Sequence, residues 1–314
     1  MLSRVAERLY WTARYLERAE DTARLVNAYA QLILDIPVGV APEWGVLVEI
    51  VDAQDTFAQR YKNMNERNVI KFLLADDTSP CSIRHSVRCA RENVRTTRDV
   101  LPGIVWELVN ELYLQVEADA REAVGRKSRY EFLESVMARV QQINGLIAST
   151  MLRDQGLWFL QLGQVVERAD MTSRIVDVGD AIIIERENSK LTEVPTLWAN
   201  LLYSLSATSA FRRKVGPILE AEAVFDFVVA DQQFPRSLLF CVNTAEELVG
   251  LLNGPPRLLR HIRRFAGQLG SFDATEISLP ELREFLEQVQ RQVADLDGAI
   301  SETWFRTTPA EELA

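Results

Sequence analysis

The chain has 314 residues, of which 47% are hydrophobic, and its 45 acidic residues outnumber 35 lysines and arginines to give a net charge of −10. This balance predicts a globular protein with a large core and argues against nucleic acid as a partner, because phosphate backbones attract basic surfaces. No apolar run approaches the roughly 20 residues that span a bilayer, so we expect a cytoplasmic protein with no membrane segment.

Apolar residues recur at helical spacing along most of the chain, and no window shows the alternation typical of a strand. In the first half we predict helices over about 2–35, 43–62, 66–75, 79–101, 104–124 and 128–154. In the second half we predict helices over about 157–187, 195–215, 217–230, 235–252 and 278–304. Ser79 with Pro80, and capping boxes beginning at Ser128 and Ser278, are predicted helix starts. The predicted fold class is all-α.

One helical motif, Glu-Arg-Ala-acid-x-Thr-x-Arg, occurs twice with an offset of 150 residues. It comprises Glu17, Arg18, Glu20, Thr22 and Arg24 in the first copy, and Glu167, Arg168, Asp170, Thr172 and Arg174 in the second. Trp44 recurs as Trp198 and Phe72 as Phe227, at offsets of 154 and 155. We therefore predict a helical bundle built from two tandem, pseudo-twofold-related repeats, 1–155 and 156–314, that form one compact unit.

The spacing of the motif places Glu17, Glu20 and Arg24 on one stripe of a helix. Three interpretations stay open. The stripe is a solvated ladder of i,i+4 ion pairs, or it is a partly buried network in which Arg18 pairs with Glu167 and Arg168 with Glu17. In the third, the carboxylates and arginines line a cleft that binds a small charged ligand or peptide.

A second group of charged residues has no duplicate in the other half. Its members step by four and three residues and share one helix face; they are Arg84, Arg88, Arg91, Arg95 and Arg98. Guanidinium groups bind phosphate and carboxylate well, so this arginine stripe is a candidate site for an anion or an acidic partner. The alternative is pairing within the molecule with the acidic residues of 107–122.

The chain has no phosphate-binding glycine loop, no dinucleotide-binding glycine motif and no Gly-x-Ser-x-Gly motif. Its two histidines lie in no motif, so a Ser-His or Cys-His couple has no support in the sequence, and a metal site of His and Cys is not expected. We expect no cofactor and no metal. Acid/base chemistry by glutamates, and an all-carboxylate metal site, stay open.

Several blocks of the sequence resemble the alpha-E family, a bacterial all-helical family named for its Glu-Arg motif. They are the opening Met-Leu-Ser-Arg-Val-Ala-Glu, the run from Arg14 to Glu20, Ala90-Arg91-Glu92-Asn93 with Arg95 and Arg98, and Phe234-Pro235-Arg236-Ser237. By this resemblance, Glu17, Arg18, Glu167 and Arg168 match the naming motif. Arg91, Arg95 and Arg98 match the middle block of the family.

The resemblance implies protein partners and does not imply a catalytic activity. Alpha-E proteins accompany ATP-grasp ligases and transglutaminase-like peptidases, which implies a system that makes or processes an unusual peptide amide bond. We therefore expect a non-catalytic accessory protein with these enzymes as partners and an anionic small molecule or peptide as a ligand. One alternative is an enzyme with Glu17 or Glu167 as its acid/base group, and another is a purely structural dimerisation module. The sequence leaves the oligomeric state open.

Overall fold

The computed structural model describes residues 1–36, 43–188, 194–277 and 279–306. Within these ranges the chain forms α-helices and a short 3-10 helix at Glu122–Val124, and no strand, which confirms the all-α prediction. No helix among these residues is both long enough and apolar enough to cross a membrane. The helices of the first half are α1 (Ser3–Asp35), α2 (Val46–Ile50), α3 (Gln54–Ala58), α4 (Glu66–Leu74), α5 (Ile83–Arg95), α6 (Gly103–Asp119) and α7 (Arg126–Thr150). Those of the second half are α8 (Gln155–Asn188), α9 (Val194–Ser204), α10 (Thr208–Lys214), α11 (Ala221–Ala230), α12 (Leu238–Leu251), α13 (Pro256–Gly270) and α14 (Leu279–Trp304).

The two longest helices, α1 and α8, lie against each other and organise the other helices around them. In the first half, α1 packs on α5 and α7, and in the second half α8 packs in the same order on α12 and α14. Each long helix also contacts the other half, since α1 packs on α9 and α8 on α2. The helices of the two halves therefore pack in the same order around α1 and α8.

Helix α1 is buried on nearly all sides. Its buried residues include apolar ones such as Tyr10 and Leu16, and also Glu17, Glu20 and Asp21 on the polar stripe. A buried charge is costly unless a group of opposite charge meets it. The helices around α1 must therefore supply polar partners as well as apolar packing, and this requirement creates the charged cluster described below.

Two predicted helices are each split into two. The residues predicted as one helix over 43–62 form α2 and α3, and those over 195–215 form α9 and α10. Asp52 and Ser206 stand at the breaks with φ of 51° and 53°, a left-handed conformation that ends the helical hydrogen-bond ladder. The breaks occur at corresponding places in the two halves.

Some predicted helix starts are wrong by a few residues. Helix α5 is capped by Ser82 rather than by Ser79, because the Ser82 side chain accepts the backbone N–H of His85. Helix α7 begins at Arg126, and the Ser128 hydroxyl donates to the carbonyl of Glu122 instead of capping. The predicted start at Ser278 lies outside the described residues.

Helix α13 is absent from the predicted helices, which leave 253–277 without one. Pro256 is its first residue, where a helix needs no backbone N–H.

Candidate functional site

The duplicated motif places Glu17 and Arg18 on α1 opposite Glu167 and Arg168 on α8. Arg18 Nε lies 2.5 Å from Glu167 Oε1, and Arg168 Nε lies 2.7 Å from Glu17 Oε1. Each guanidinium also donates from Nη2 to the second carboxylate oxygen, at 2.9 Å for Arg18 and 3.3 Å for Arg168. The two Glu-Arg pairs therefore bind each other reciprocally, which is the arrangement described by the buried-network interpretation.

Glu167 receives a second guanidinium group, which the motif did not indicate. Arg14 Nε donates to Glu167 Oε2 at 2.6 Å, and its Nη1 donates to Asp297 on α14 at 2.5 Å. The same guanidinium lies over the Trp11 ring, 5.1 Å from its centroid. Gln164 occupies the corresponding place on α8 and donates to Glu17 Oε2 at 2.9 Å. Both halves thus have a donor to the glutamate of the other half, but only Arg14 is charged. Because Gln164 is neutral, comparing the two halves of the sequence does not reveal the role of Arg14.

Glu17 receives its own second guanidinium group from Arg236, which precedes α12. Arg236 Nη2 lies 2.7 Å from Glu17 Oε1, and its Nη1 lies 2.6 Å from Asp21 Oδ1. At the offset of 155 residues the first half has Cys81, which carries no charge. Arg236 stood in a family-like block, but nothing in that pattern placed it beside Glu17.

The remaining motif residues extend the cluster or hold the backbone. Arg24 pairs with Glu20 and with Asp21 on its own helix. In the second copy, Arg174 Nε donates to Asp170 at 2.9 Å and its Nη1 lies 3.2 Å from Asp52.

The two threonines of the motif have matching roles. The Thr172 hydroxyl donates to the backbone carbonyl of Arg236 at 2.9 Å, and the Thr22 hydroxyl reaches the carbonyl of Cys81 at 3.5 Å. These threonines fix the segments before α12 and α5, and they are not positioned as ligand-binding groups.

The central carboxylates are sealed from solvent, with Glu17 0% and Glu167 1% exposed. Burial raises the pKa of Glu17, but the charges of Arg236 and Arg168 outweigh it and lower the pKa to about 2. The pKa of Glu167 is also lowered, since Arg18 and Arg14 outweigh its burial. Both carboxylates are thus ionised at neutral pH and fully engaged, which makes them poor proton donors and leaves no open face for a substrate.

Asp21 differs from its neighbours. Burial raises its pKa to about 7 despite the nearby Arg236, and the negative charge of Glu17 adds to the effect. Its Oδ2 is buried with no hydrogen-bond partner in the described part of the chain. Asp21 is therefore the member of the cluster whose charge is least stabilised.

The arginine stripe lies mainly against the neighbouring helix α6. Arg84 binds Glu117 through two hydrogen bonds of 2.9 and 2.7 Å. Arg91 donates to Asn110 at 2.8 Å and stacks over the ring of Tyr113, 4.6 Å from its centroid. These contacts correspond to pairing within the molecule, the alternative that the sequence left open.

The other three arginines of the stripe also have partners nearby. Arg88 donates to the backbone carbonyl of Asp77 at 2.9 Å, and Arg95 donates to Glu92 at 2.9 Å. Arg98 donates to the carbonyl of Arg95 and lies over the Trp106 ring, 5.2 Å from its centroid. The stripe therefore does not present five free guanidinium groups to one ligand.

A different surface has the open, cationic character expected of an anion site. This basic groove has a volume of about 1430 Å³ and lies between α4, the 3-10 helix and the starts of α5 and α7. Its charged lining consists of Arg60, Arg67, Lys71, Arg84, Arg121, Arg126 and Arg129 with Glu66, Asp76 and Asp77. Seven cations thus face three carboxylates in a chain whose net charge is −10. Among these residues only Arg84 belongs to the predicted arginine stripe. The others come from separate segments of the sequence and share no common spacing.

Only some of the cations that line the basic groove form ion pairs with its carboxylates. Arg60 pairs with Asp76, and both Arg126 and Arg129 pair with Glu66. Three exposed cations, Arg67, Lys71 and Arg121, have no ion-pair partner among the described residues.

Arg129 stands at the wall of the groove and is 5% exposed. Its Nη groups donate to Glu66 and to the Val124 carbonyl, both at 2.9 Å, while its Nε has no partner among the described residues. The wall of the groove therefore holds one buried hydrogen-bond donor without a partner.

Comparison with known proteins gives one match. A family model named Alpha-E, described as a predicted alpha-helical domain with a conserved ER motif, matches residues 1–305. Glu17-Arg18 and Glu167-Arg168 both have the sequence of that motif. No curated protein and no solved structure matches the chain.

Proposed function

The chain belongs to the Alpha-E family, and from this premise we propose that it is a non-catalytic accessory protein that binds an acidic peptide segment in its basic groove. Its partners, as the resemblance implies, are an ATP-grasp-type peptide ligase and a transglutaminase-like peptidase in the cytoplasm. The ligase makes an unusual peptide amide bond, and the Alpha-E protein presents or retains the peptide.

The observation that carries the proposal is the unbalanced charge of the basic groove. Arg67, Lys71 and Arg121 are exposed and form no ion pair among the described residues, although Lys71 lies over the Tyr61 ring and Arg121 is near enough to Glu117 to lower its pKa. Guanidinium groups bind carboxylates in a planar, two-point geometry. Small-molecule pockets measure about 300–1000 Å³, whereas this groove measures about 1430 Å³. Its size therefore favours an extended peptide over a single small anion.

The Glu-Arg cluster supports an accessory role in a different way. Glu17 and Glu167 are buried and saturated by guanidinium groups, so the rival enzyme with one of them as acid/base has no accessible carboxylate. The rival dimerisation module depends on a free arginine stripe, but Arg84 is bound to Glu117 and Arg91 lies on Tyr113. The basic groove, in contrast, is open to a partner.

Binding of fluorescein-labelled hexaglutamate, followed by fluorescence anisotropy, tests the proposal. We expect binding that weakens as salt rises, since exposed ion pairs are screened. The triple variant Arg67→Glu, Lys71→Glu, Arg121→Glu reverses three exposed charges, each worth about 0.2–1 kcal/mol in a pair, so the affinity should fall about tenfold or more. Hexaglutamine should not bind.

A matched control reverses three exposed arginines outside the groove, Arg212, Arg213 and Arg260, with the same change in net charge. This control should bind hexaglutamate within about twofold of the parent protein, because screening limits the effect of distant charges. Equal losses in both variants would show general charge attraction and would refute a specific groove.

The association with the ligase needs its own experiment. The purified protein is mixed with the ATP-grasp-type ligase of the same organism, and complex formation and ligase turnover are both measured. We expect the protein to bind the ligase and to change its turnover. If neither effect is seen, the proposed association with the ligase is wrong, while the proposed peptide binding in the basic groove is unaffected.

A further inference from the structure

Outside the charged cluster and the basic groove, α5 brings a histidine and a cysteine together. His85 and Cys89 are four residues apart, one turn along the helix, and His85 Nε2 lies 3.4 Å from Cys89 Sγ. No motif in the sequence supports a Cys-His couple, and this contact adds a structural reason to consider one. The spacing matches no catalytic motif, so only the helix geometry reveals the contact.

The backbone orients the histidine ring toward the sulfur. His85 Nδ1 lies 3.0 Å from the carbonyl oxygen of Asp77. Arg88 Nη2 also lies 3.3 Å from Nδ1, but the carbonyl contact is shorter. Because a carbonyl oxygen can only accept, we assign the proton of the neutral ring to Nδ1, and Nε2 faces Cys89. A nucleophile, a base and a third group that orients the base are the parts of an activated cysteine.

Further groups around Cys89 favour a negative charge on its sulfur. From α1, the Tyr15 hydroxyl lies near Cys89 and lowers the pKa of its thiol. On α5, Arg88 adds a positive charge and shares the Asp77 carbonyl with His85, while the Asp77 carboxylate lies 3.8 Å from Arg88. Burial raises the pKa of the Cys89 thiol, but His85 and Arg88 outweigh it and lower the pKa below the usual value.

The same contact acts on the histidine. The pKa of His85 is raised, chiefly by its hydrogen bond to Cys89. Cys89 is also partly exposed, so a small reagent can reach the sulfur. Together these observations describe a partly exposed thiol with a lowered pKa beside a histidine with a raised pKa.

We propose that Cys89 is a reactive thiolate that exchanges with low-molecular-weight disulfides, with His85 as its proton partner. The Cys89 sulfur attacks one sulfur of the disulfide R–S–S–R, a bond forms between them, and the original S–S bond breaks. The released R–S⁻ takes the proton from His85 Nε2, so the products are a mixed disulfide on Cys89 and a free thiol. Cys89 is oxidised and one sulfur of the reagent is reduced, with no other reactant.

Disulfide exchange fits this site because it needs only a thiolate, access and a proton for the leaving thiol. The site is independent of the proposed peptide-binding function. Carboxylates on the reagent would lie near Arg88, so an anionic disulfide such as oxidised glutathione is the probe of choice.

The full-length reduced protein is incubated with oxidised glutathione from pH 6 to pH 9, and peptide mass mapping follows each cysteine. We expect glutathione on Cys89 first. Cys81 and Cys241 are controls in the same chain, because burial raises the pKa of both thiols, to about 12 for Cys241. Reaction at Cys89 no faster than at Cys81 would overturn the proposal.

Two variants test the role of His85. His85→Asn should slow glutathionylation of Cys89 on the order of tenfold at pH 7 and move the midpoint of the pH profile up toward the ordinary thiol pKa of about 8.5. Tyr15→Phe, which keeps the ring and removes one donor, should slow it less. An unchanged rate and midpoint in a folded His85→Asn protein, checked by circular dichroism, would reject His85 as the proton partner.

Iodoacetamide serves as a second reagent that has no disulfide bond. We expect it to alkylate Cys89 with the same lowered midpoint as oxidised glutathione. Alkylation with a low midpoint but without any mixed disulfide would contradict the exchange reaction. Cys89→Ser should abolish the fast modification of the protein by both oxidised glutathione and iodoacetamide.

Discussion

At the residue scale, Glu17 and Glu167 are each held by two guanidinium groups, and both of these come from the other half of the chain. Glu17 is bound by Arg168 and Arg236, and Glu167 by Arg18 and Arg14. Buried ion pairs of this kind gain little net stability, because removing the charges from water costs about as much as their attraction returns. Their effect is on geometry, since each pair is satisfied in only one alignment of α1 and α8.

This balance predicts a large effect when one partner is removed. Glu17→Gln leaves Arg168 and Arg236 buried without a carboxylate, so the free energy of unfolding should fall by about 3–5 kcal/mol. Urea denaturation followed by circular dichroism measures it. The exposed Glu49→Gln serves as the control and should change the value by no more than about 0.5 kcal/mol. A change below about 1 kcal/mol for Glu17→Gln would mean that the cluster is not structurally critical.

Within the Glu-Arg cluster, residue roles were predictable from sequence only where both halves keep the same side chain. The pairing of Arg18 with Glu167 appears among the open interpretations because the Glu-Arg motif is duplicated. Arg14 and Arg236 were missed because the corresponding residues, Gln164 and Cys81, carry no charge.

At the element scale, the alignment of α1 and α8 depends on a close approach of their backbones. A Cβ atom added to Gly163 on α8 would collide with the carbonyl oxygen of Tyr10 on α1. The corresponding residue of α1 is Ala13, so only α8 requires glycine at this position of the repeat. Backbone contact at this point brings the Glu-Arg pairs within hydrogen-bonding distance.

Replacing Gly163 by alanine should therefore push the two helices apart. We expect Gly163→Ala to lower the free energy of unfolding by about 1–3 kcal/mol, the usual cost of overpacking. Gly145→Ala, in the exposed part of α7 where an added Cβ meets no atom within 4 Å, should instead stabilise by about 0.5–1 kcal/mol. Thermal and urea unfolding of the pair measure the difference, and equal effects of the same sign would disprove the close approach.

The apolar spacing of the sequence predicts where most helices lie, but it does not predict where two of them are broken. Asp52 and Ser206 adopt left-handed conformations without being glycine, so neither stands out in the sequence. Tertiary packing sets both breaks. The same limit applies to the basic groove, whose residues come from loops and from the ends of several helices.

At the scale of the whole molecule, the charged cluster joins residues that are far apart in the sequence. Glu17 on α1 meets groups from α8 and from the segment before α12, and Arg14 reaches Asp297 on α14. Neither half contains a complete set of partners for its own buried charges. We therefore treat the two predicted repeats as one folding unit rather than as independent domains.

Dividing the chain at the exposed Leu152, between α7 and α8, tests this conclusion. Fragment 1–152 exposes Glu17 without Arg168 and Arg236, and fragment 153–314 exposes Glu167 without Arg14 and Arg18. Each fragment also leaves one long apolar face uncovered, because α1 and α8 no longer pack together. We expect neither fragment to show a cooperative thermal transition by circular dichroism, while an equimolar mixture regains helix content and melts cooperatively as a 1:1 complex on gel filtration. Glu17→Gln in the first fragment should weaken that complex at least about a hundredfold, since the loss of about 3–5 kcal/mol expected for the intact chain now falls on association. A fragment that folds cooperatively alone would instead establish two autonomous domains held together by a dispensable ionic contact.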